Sequence, residues 1–170
     1  AEKAKPAMVV TALIGKGPSM IYFGQEVGEP AFEDAGFGKP SRTSIFDYIG
    51  VPHHQRWING GSFDGGALST SEKSLRAFYG KLLRLSRDES VFNGDFIGVH
   101  QYNRQHAKAY PKAIYSFVRA QGDKHVLVVT NFSEDSVQVD VRVPMASLVL
   151  ENSVKLRELL VDSAQVQSYE

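Results

Sequence analysis

The sequence predicts an α+β chain in which a helix-strand-loop-helix unit precedes a small antiparallel sheet or sandwich. Three observations carry that prediction. Ser69 and Glu72 open an amphipathic run at helical spacing. "AIYSFVRA" and "HVLVVTNFS" flank the turn sequence "QGDK". Val137, Val139, Val141 and Val143 alternate with Gln138, Asp140 and Arg142, the period-two pattern of a strand with one solvated face.

The elements follow in order. "AMVVTALI" (7–14) is an apolar run with Pro6 suited to a helix's first turn and Gly15 to its end, which reads as a mostly buried helix. After "GKGP", residues 20–23 (Met20, Ile21, Tyr22, Phe23) are apolar at every position, as expected of a parallel strand covered on both faces. From Gln25 to Leu68, Gly, Pro and aromatics recur without a sustained period, which predicts a long loop. It far exceeds the roughly 4 to 6 residues of a median connection. Its aromatics (Phe32, Phe37, Phe46, Tyr48, Trp57, Phe63) argue for packing against something, since disordered segments are poor in them.

Ser69 then predicts a helix over 69–87 with a capping box, because Glu72 sits three residues on and can reach back to the Ser69 amide. Leu75, Phe78, Tyr79, Leu82 and Leu83 make its apolar stripe. A boundary near Asp88 to Ser90 separates residues 1–90 from an antiparallel β domain at 91–170. That domain begins with "FIGVHQY" (96–102), read as a strand, and Gly122-Asp123 supply the positive backbone angles of its hairpin turn.

Composition limits the partners. The chain has 170 residues with 19 basic and 19 acidic side chains, enough for a real core and without the net field that draws a protein to nucleic acid or an anionic membrane. There are no cysteines, which excludes disulfides and thiolate metal sites and leaves the compartment open. No apolar segment is long enough to span a bilayer, and "AEKAKPAMVV" lacks the layout of a signal peptide, so the chain reads as part of something longer.

Together "GPSMIYFGQEVGEP", "RTSIFDY", "QRWINGGSFDGG" with the helix after it, and "VLVVTNFS" resemble the C-terminal third of an α-amylase-family glycoside hydrolase, family 13. Gly17-Pro18 and Ile21-Tyr22-Phe23-Gly24-Gln25-Glu26 are similar to that family's eighth barrel strand. The resemblance implies that residues 1–90 hold the last strand, long loop and last helix of a (β/α)8 TIM barrel. Residues 91–170 would be the antiparallel β-sandwich C-terminal domain. It further implies a retaining enzyme acting on α-linked glucans, starch-type polysaccharides or malto-oligosaccharides, as an α-amylase or neopullulanase does. The Asp nucleophile, Glu acid/base and second Asp of that family match no motif here, so the catalytic residues are expected upstream of Ala1 and this chain alone is expected to be inactive. His53-His54 is followed by Gln55 and does not supply the family's His-Asp pair.

Retaining glycosidases hold two carboxyl groups roughly 5 to 5.5 Å apart. Glu26, Glu29, Glu33, Asp34 and Asp47 are the loop's acids, and no spacing among them singles out a pair. Glu26 stands out because barrel enzymes build their sites at the C-terminal ends of strands. The substrate-binding candidates are Arg42, Glu26, Asp47 and Trp57. Arg42 matches loosely a family arginine that contacts glucose hydroxyls, with Lys39 where an Asp is usual, and its alternative is to brace the loop. Trp57, Tyr48 and Phe46 suit sugar stacking or plain packing. The adjacent histidines point apart and complete no ligand set, so no metal is expected, and the chemistry calls for no cofactor. "FDGG" (63–66) lacks the alternating acids of a calcium loop and reads as a tight turn. A free-standing carbohydrate-binding or interaction module, using the loop aromatics as its platform, is the rival reading. The unpaired edges of an isolated barrel strand also predict self-association.

Overall fold

The computed structural model describes residues 2–30, 50–144, 148, 154–160 and 166–169. Within them are four α-helices and five β-strands: α1 Lys5–Leu13, α2 Pro52–Ile58, α3 Thr70–Asp88, β1 Asp95–Gly98, α4 His100–His106, β2 Ile114–Gln121, β3 Lys124–Asn131, β4 Val154–Arg157 and β5 Val166–Tyr169. The fold is α+β. The chain divides into two compact units, Ala1–Glu2 with Ser19–Lys81, and Lys3–Pro18 with Leu82–Glu170. The N-terminal helix therefore belongs with the sheet rather than with the residues that follow it.

In the first unit, the parallel strand expected at 20–23 does not form among the described residues. Met20 is 85% exposed, Tyr22 is exposed, and the chain turns at Phe23. The reason is local. A parallel strand needs its amides and carbonyls taken up by neighbours on its edges. Here the Tyr22 amide donates to Gln25 Oε1 at 3.1 Å and the Tyr22 carbonyl accepts from the Gln25 amide at 2.9 Å, so the backbone closes on itself. The long loop is also interrupted. Pro52, placed at a helix's first turn where a missing N–H costs nothing, opens the short helix α2. Seven residues of mixed polarity are too few to show a helical period, which is why the sequence reads as loop there.

Helix α3 runs as its capping box predicts: the Ser69 amide donates to Glu72 Oε2 at 2.8 Å and the Glu72 amide to Ser69 Oγ at 3.3 Å. Leu75, Tyr79 and Leu82 are buried, with Phe78 and Leu83 half-buried at the edges of the stripe.

In the second unit, α1 begins two residues before the apolar run, with Pro6 in its first turn, and buries Met8, Val9, Ala12 and Leu13. The sheet has order β1-β2-β3, every pair antiparallel. Gln121 pairs with Lys124 across a two-residue turn at Gly122-Asp123, in which only Gly122 takes a positive φ, +59°. The hairpin stands as the sequence predicts. Phe117 and Val128 are buried on the face that also carries Arg119. Val118 on the opposite face joins Val99 and Leu148, with Ile97, Ala120, Leu127, Val141 and Val143 packed around them.

Two expected strands differ. "FIGVHQY" is a strand only as far as Gly98; from His100 it is helix α4. Residues 137–143 form no ladder among the described residues, and Val137 is exposed while Val139, Val141 and Val143 are half-buried. Asn103, on α4, accounts for the second. Its side chain is fully buried, with Oδ1 accepting from the Arg142 amide at 2.6 Å and Nδ2 donating to the Arg142 carbonyl at 2.9 Å and to the Val99 carbonyl at 2.8 Å. One side-chain amide thus takes both backbone bonds of Arg142 that a neighbouring strand would take. Val141 and Val143 pack against the cluster of Val99, Val118 and Leu148, and Val139 is half-buried.

Candidate functional site

The first unit gathers Glu26, Glu29, the paired histidines and Trp57. It starts from the turn after "IYF". Gly24 has φ +74°, and a Cβ there would stand 2.7 Å from Glu29 Cβ, so only glycine lets the chain fold back this tightly. The turn Gln25–Val27 follows, and the Glu29 amide donates to the Gly24 carbonyl at 3.0 Å. Glu26 sits half-buried on that turn. Glu29 points its Oε2 at the His54 amide, 2.8 Å away in the first turn of α2, where no side chain of the preceding residue caps the helix. A carboxylate there satisfies an orphan amide and the helix dipole together. Glu29 Oε1 and His54 Nδ1 are buried without a hydrogen-bond partner among the described residues.

Glu72 binds the other side of α2. It is 6% exposed, and both its oxygens take the Arg56 guanidinium, Oε2 from Nε at 3.1 Å and Oε1 from Nη2. His53 Nδ1 lies 2.8 Å from Glu72 Oε1 and 3.0 Å from the Val27 carbonyl; both are acceptors, so Nδ1 carries the hydrogen. The Arg56 hydrogen bonds, then those from Ser69 and the charge of His53, hold the Glu72 carboxyl at about 2 against burial, which opposes them. Glu72 is therefore a fixed anion. It joins α2, the capping of α3 and the turn at Val27, and has no free lone pair aimed at solvent chemistry.

Trp57 lies between these braces and the loop 59–66. The Arg76 guanidinium stands 5.2 Å from its ring and the His54 ring 5.8 Å, while Phe63 meets it edge-on at 6.0 Å. The loop is tightly wound: Asn59, Gly60, Gly61, Phe63 and Gly65 all have positive φ. Asp64 Oδ1 accepts from Asn59 Nδ2 at 2.8 Å and from the Gly66 amide at 2.7 Å, bonds that lower its pKa, the Gly66 bond most. "FDGG" is the tight turn expected.

Of the four predicted substrate-binding residues, Arg42 and Asp47 lie outside the described residues, as do Phe46 and Tyr48. Trp57 and Glu26 are placed in the same unit, Trp57 on α2 and Glu26 on the turn that packs against α2. No group of three or more His, Cys, Asp or Glu among the described residues could hold a metal ion. Sequence reasoning missed two participants. Glu72 was legible as a capping residue, but its pairing with Arg56 and His53 depends on α2, which the sequence hides. Phe63 was legible only as one aromatic among six. No helix among the described residues is long and apolar enough to cross a membrane. No protein-family model, no curated protein and no solved structure matches the chain.

Proposed function

We propose that the chain is the C-terminal part of a retaining α-glucan hydrolase of the α-amylase family, with residues 17–26 corresponding in sequence to the end of its last barrel strand, residues 69–87 to its last helix and residues 91–170 to its C-terminal β domain, and catalytically inert by itself. The observation that carries this reading is the run Gly17-Pro18 with Ile21-Tyr22-Phe23-Gly24-Gln25-Glu26, in which Gly24 sits where a side chain would strike Glu29. The inertness has its own support. Hydrolysis with retention needs an acid and a nucleophile facing each other across the scissile bond. Glu72 is locked to Arg56 and His53, Glu29 caps α2, and Asp64 ties its turn, so these three carboxylates brace the fold.

The rival, a free-standing carbohydrate-binding module, draws on the aromatics Trp57 and Phe63. Purified residues 1–170 are expected to release no reducing sugar from starch, pullulan or maltoheptaose. The longer protein that contains them is expected to act on at least one. Turnover by the 170-residue chain that disappears in Glu26→Gln would move the active site into this loop and overturn the proposal.

A further inference from the structure

We propose that His100, Tyr110 and Ser116 form an acid-sensitive latch, by which the connection 107–113 between α4 and β2 is fastened at neutral pH and released when His100 takes a proton. The Tyr110 hydroxyl is its centre. It meets Nδ1 of His100, the first residue of α4, at 3.0 Å and Oγ of Ser116, on β2, at 2.8 Å. Ser116 is fully buried, while His100 and Tyr110 are half-buried with their ring centres 5.6 Å apart. Residues 107–113 form neither helix nor strand. Backbone bonds join them to their surroundings, from the Asp140 amide to the Ala109 carbonyl at 2.8 Å and from the Ile114 amide to the Pro111 carbonyl at 3.0 Å.

A neutral imidazole offers one donor and one acceptor, and the hydroxyls of Tyr110 and Ser116 can turn to suit it. The imidazolium has donors only. Its charge also arises where no acid compensates it: from Phe96 to Gly122 the sequence holds Arg104, Lys108, Lys112 and Arg119 and neither Asp nor Glu. Arg104 stands one turn further along α4, and His106 stacks on Tyr102 of the same helix at 4.6 Å. Lys112 lines the open cleft onto which His100 also faces, together with Val10 of α1, Tyr115 of β2 and Phe132, and through that cleft a proton reaches the ring. Asp140 meets the connection through its backbone amide, and no ion pair joins its carboxylate to His100 among the described residues. Burial first, and the charge of Arg104 second, lower the His100 pKa from 6.5 against the opposing effect of the Ile114 backbone. The sign is then fixed. The released connection takes up the proton at the ordinary value and the fastened one only at lower pH, so the latch is complete above 6.5 and weakens as pH falls from there toward the depressed value.

Hydrogen exchange at the Asp140 and Ile114 amides, corrected for the intrinsic pH dependence of exchange, reads the latch in residues 1–170. Protection of both is expected to fall by about threefold to tenfold between pH 7 and pH 5. His100→Gln, which stays neutral, should show no such fall. Arg104→Gln, at an exposed position, removes the neighbouring charge and should show a smaller one. The ring resonances of His100 should titrate below 6.5. Protection independent of pH in wild type, an equal fall in His100→Gln, or a ring that titrates at or above 6.5 would each overturn the latch. A fall shared equally by the amides of the β2–β3 ladder would report loss of the whole unit and overturn it too. Should His100→Gln not fold, Arg104→Gln decides, and an undiminished fall in that variant overturns the proposal.

Discussion

Arg119→Met is expected to unfold the sheet-bearing unit, or to leave it less stable by on the order of 3 to 5 kcal/mol. Arg119 is 1% exposed in the middle of β2. It has no carboxylate partner among its hydrogen bonds. Nη1 donates to the carbonyls of Leu13, Ile14 and Gly15 at 3.3, 2.5 and 3.2 Å, and Nη2 to those of Phe92 and Gly94 at 2.6 and 2.9 Å. The first three are the orphan carbonyls at the end of α1, where a cation also meets the negative end of the helix dipole. The other two belong to the turn entering β1. Gly94 can lie this close only because it has no side chain, since a Cβ there would stand 1.9 Å from the Ala120 carbonyl oxygen. Methionine fills much of the volume and supplies no donor, so buried carbonyls lose their partners at once. Lysine should fail as well, because one ammonium cannot span both groups as a planar fork does. Urea unfolding followed by circular dichroism measures the effect. A midpoint in Arg119→Met equal to wild type would show that water or the backbone replaces the guanidinium.

Glu72→Gln is expected to destabilise the first unit by roughly 2 kcal/mol at neutral pH, and the deficit should disappear in acid. The sign follows from the pKa. Glu72 is lowered from 4.5 to about 2 by Arg56, by Ser69 and by His53. Its contribution is therefore fully present above about 4.5 and is lost as pH falls through about 2. Arg56 is more than a third exposed, so solvent screening takes part of the full linkage value, and the figure given is already reduced for it. Glutamine keeps the shape and one acceptor but presents an amide to a guanidinium and to the His53 N–H. Comparing wild type and variant at each pH cancels the titration of other groups. A stability difference that is the same at pH 7 and pH 3 would contradict the assignment of Glu72 as an anion fixed by Arg56.

The parts of this fold legible in the sequence are those with local causes. The capping box at Ser69 and Glu72, Pro6 in the first turn of α1, and the Gly122 hairpin each depend on residues a few positions apart. The illegible parts depend on distant partners. Asn103, on α4, takes both backbone bonds of Arg142, so the valine-alternating segment joins no strand there. The turn at Tyr22 is different: its partner Gln25 is only three residues on, and the apolar run at 20–23 masks that local cause by suggesting a strand. At the candidate site, Trp57 was legible because tryptophan in a loop demands an explanation. Its fixed neighbours Arg76 and His54, and the strained Phe63 beside it, follow from a backbone that no spacing rule describes. Arg119 left one trace, a charge inside the apolar run "YSFVRA", at an alternate position that turns out to be buried.

The reading of the chain as the end of an α-glucan hydrolase is tested most directly by sequencing the encoding gene upstream of Ala1. The account predicts an open reading frame continuing upstream with alternating strand and helix patterns. Three of those strands should end in an Asp nucleophile, a Glu acid/base and a His-Asp pair. A reading frame that opens at Ala1, or an upstream sequence without those three acidic strand ends, would contradict it.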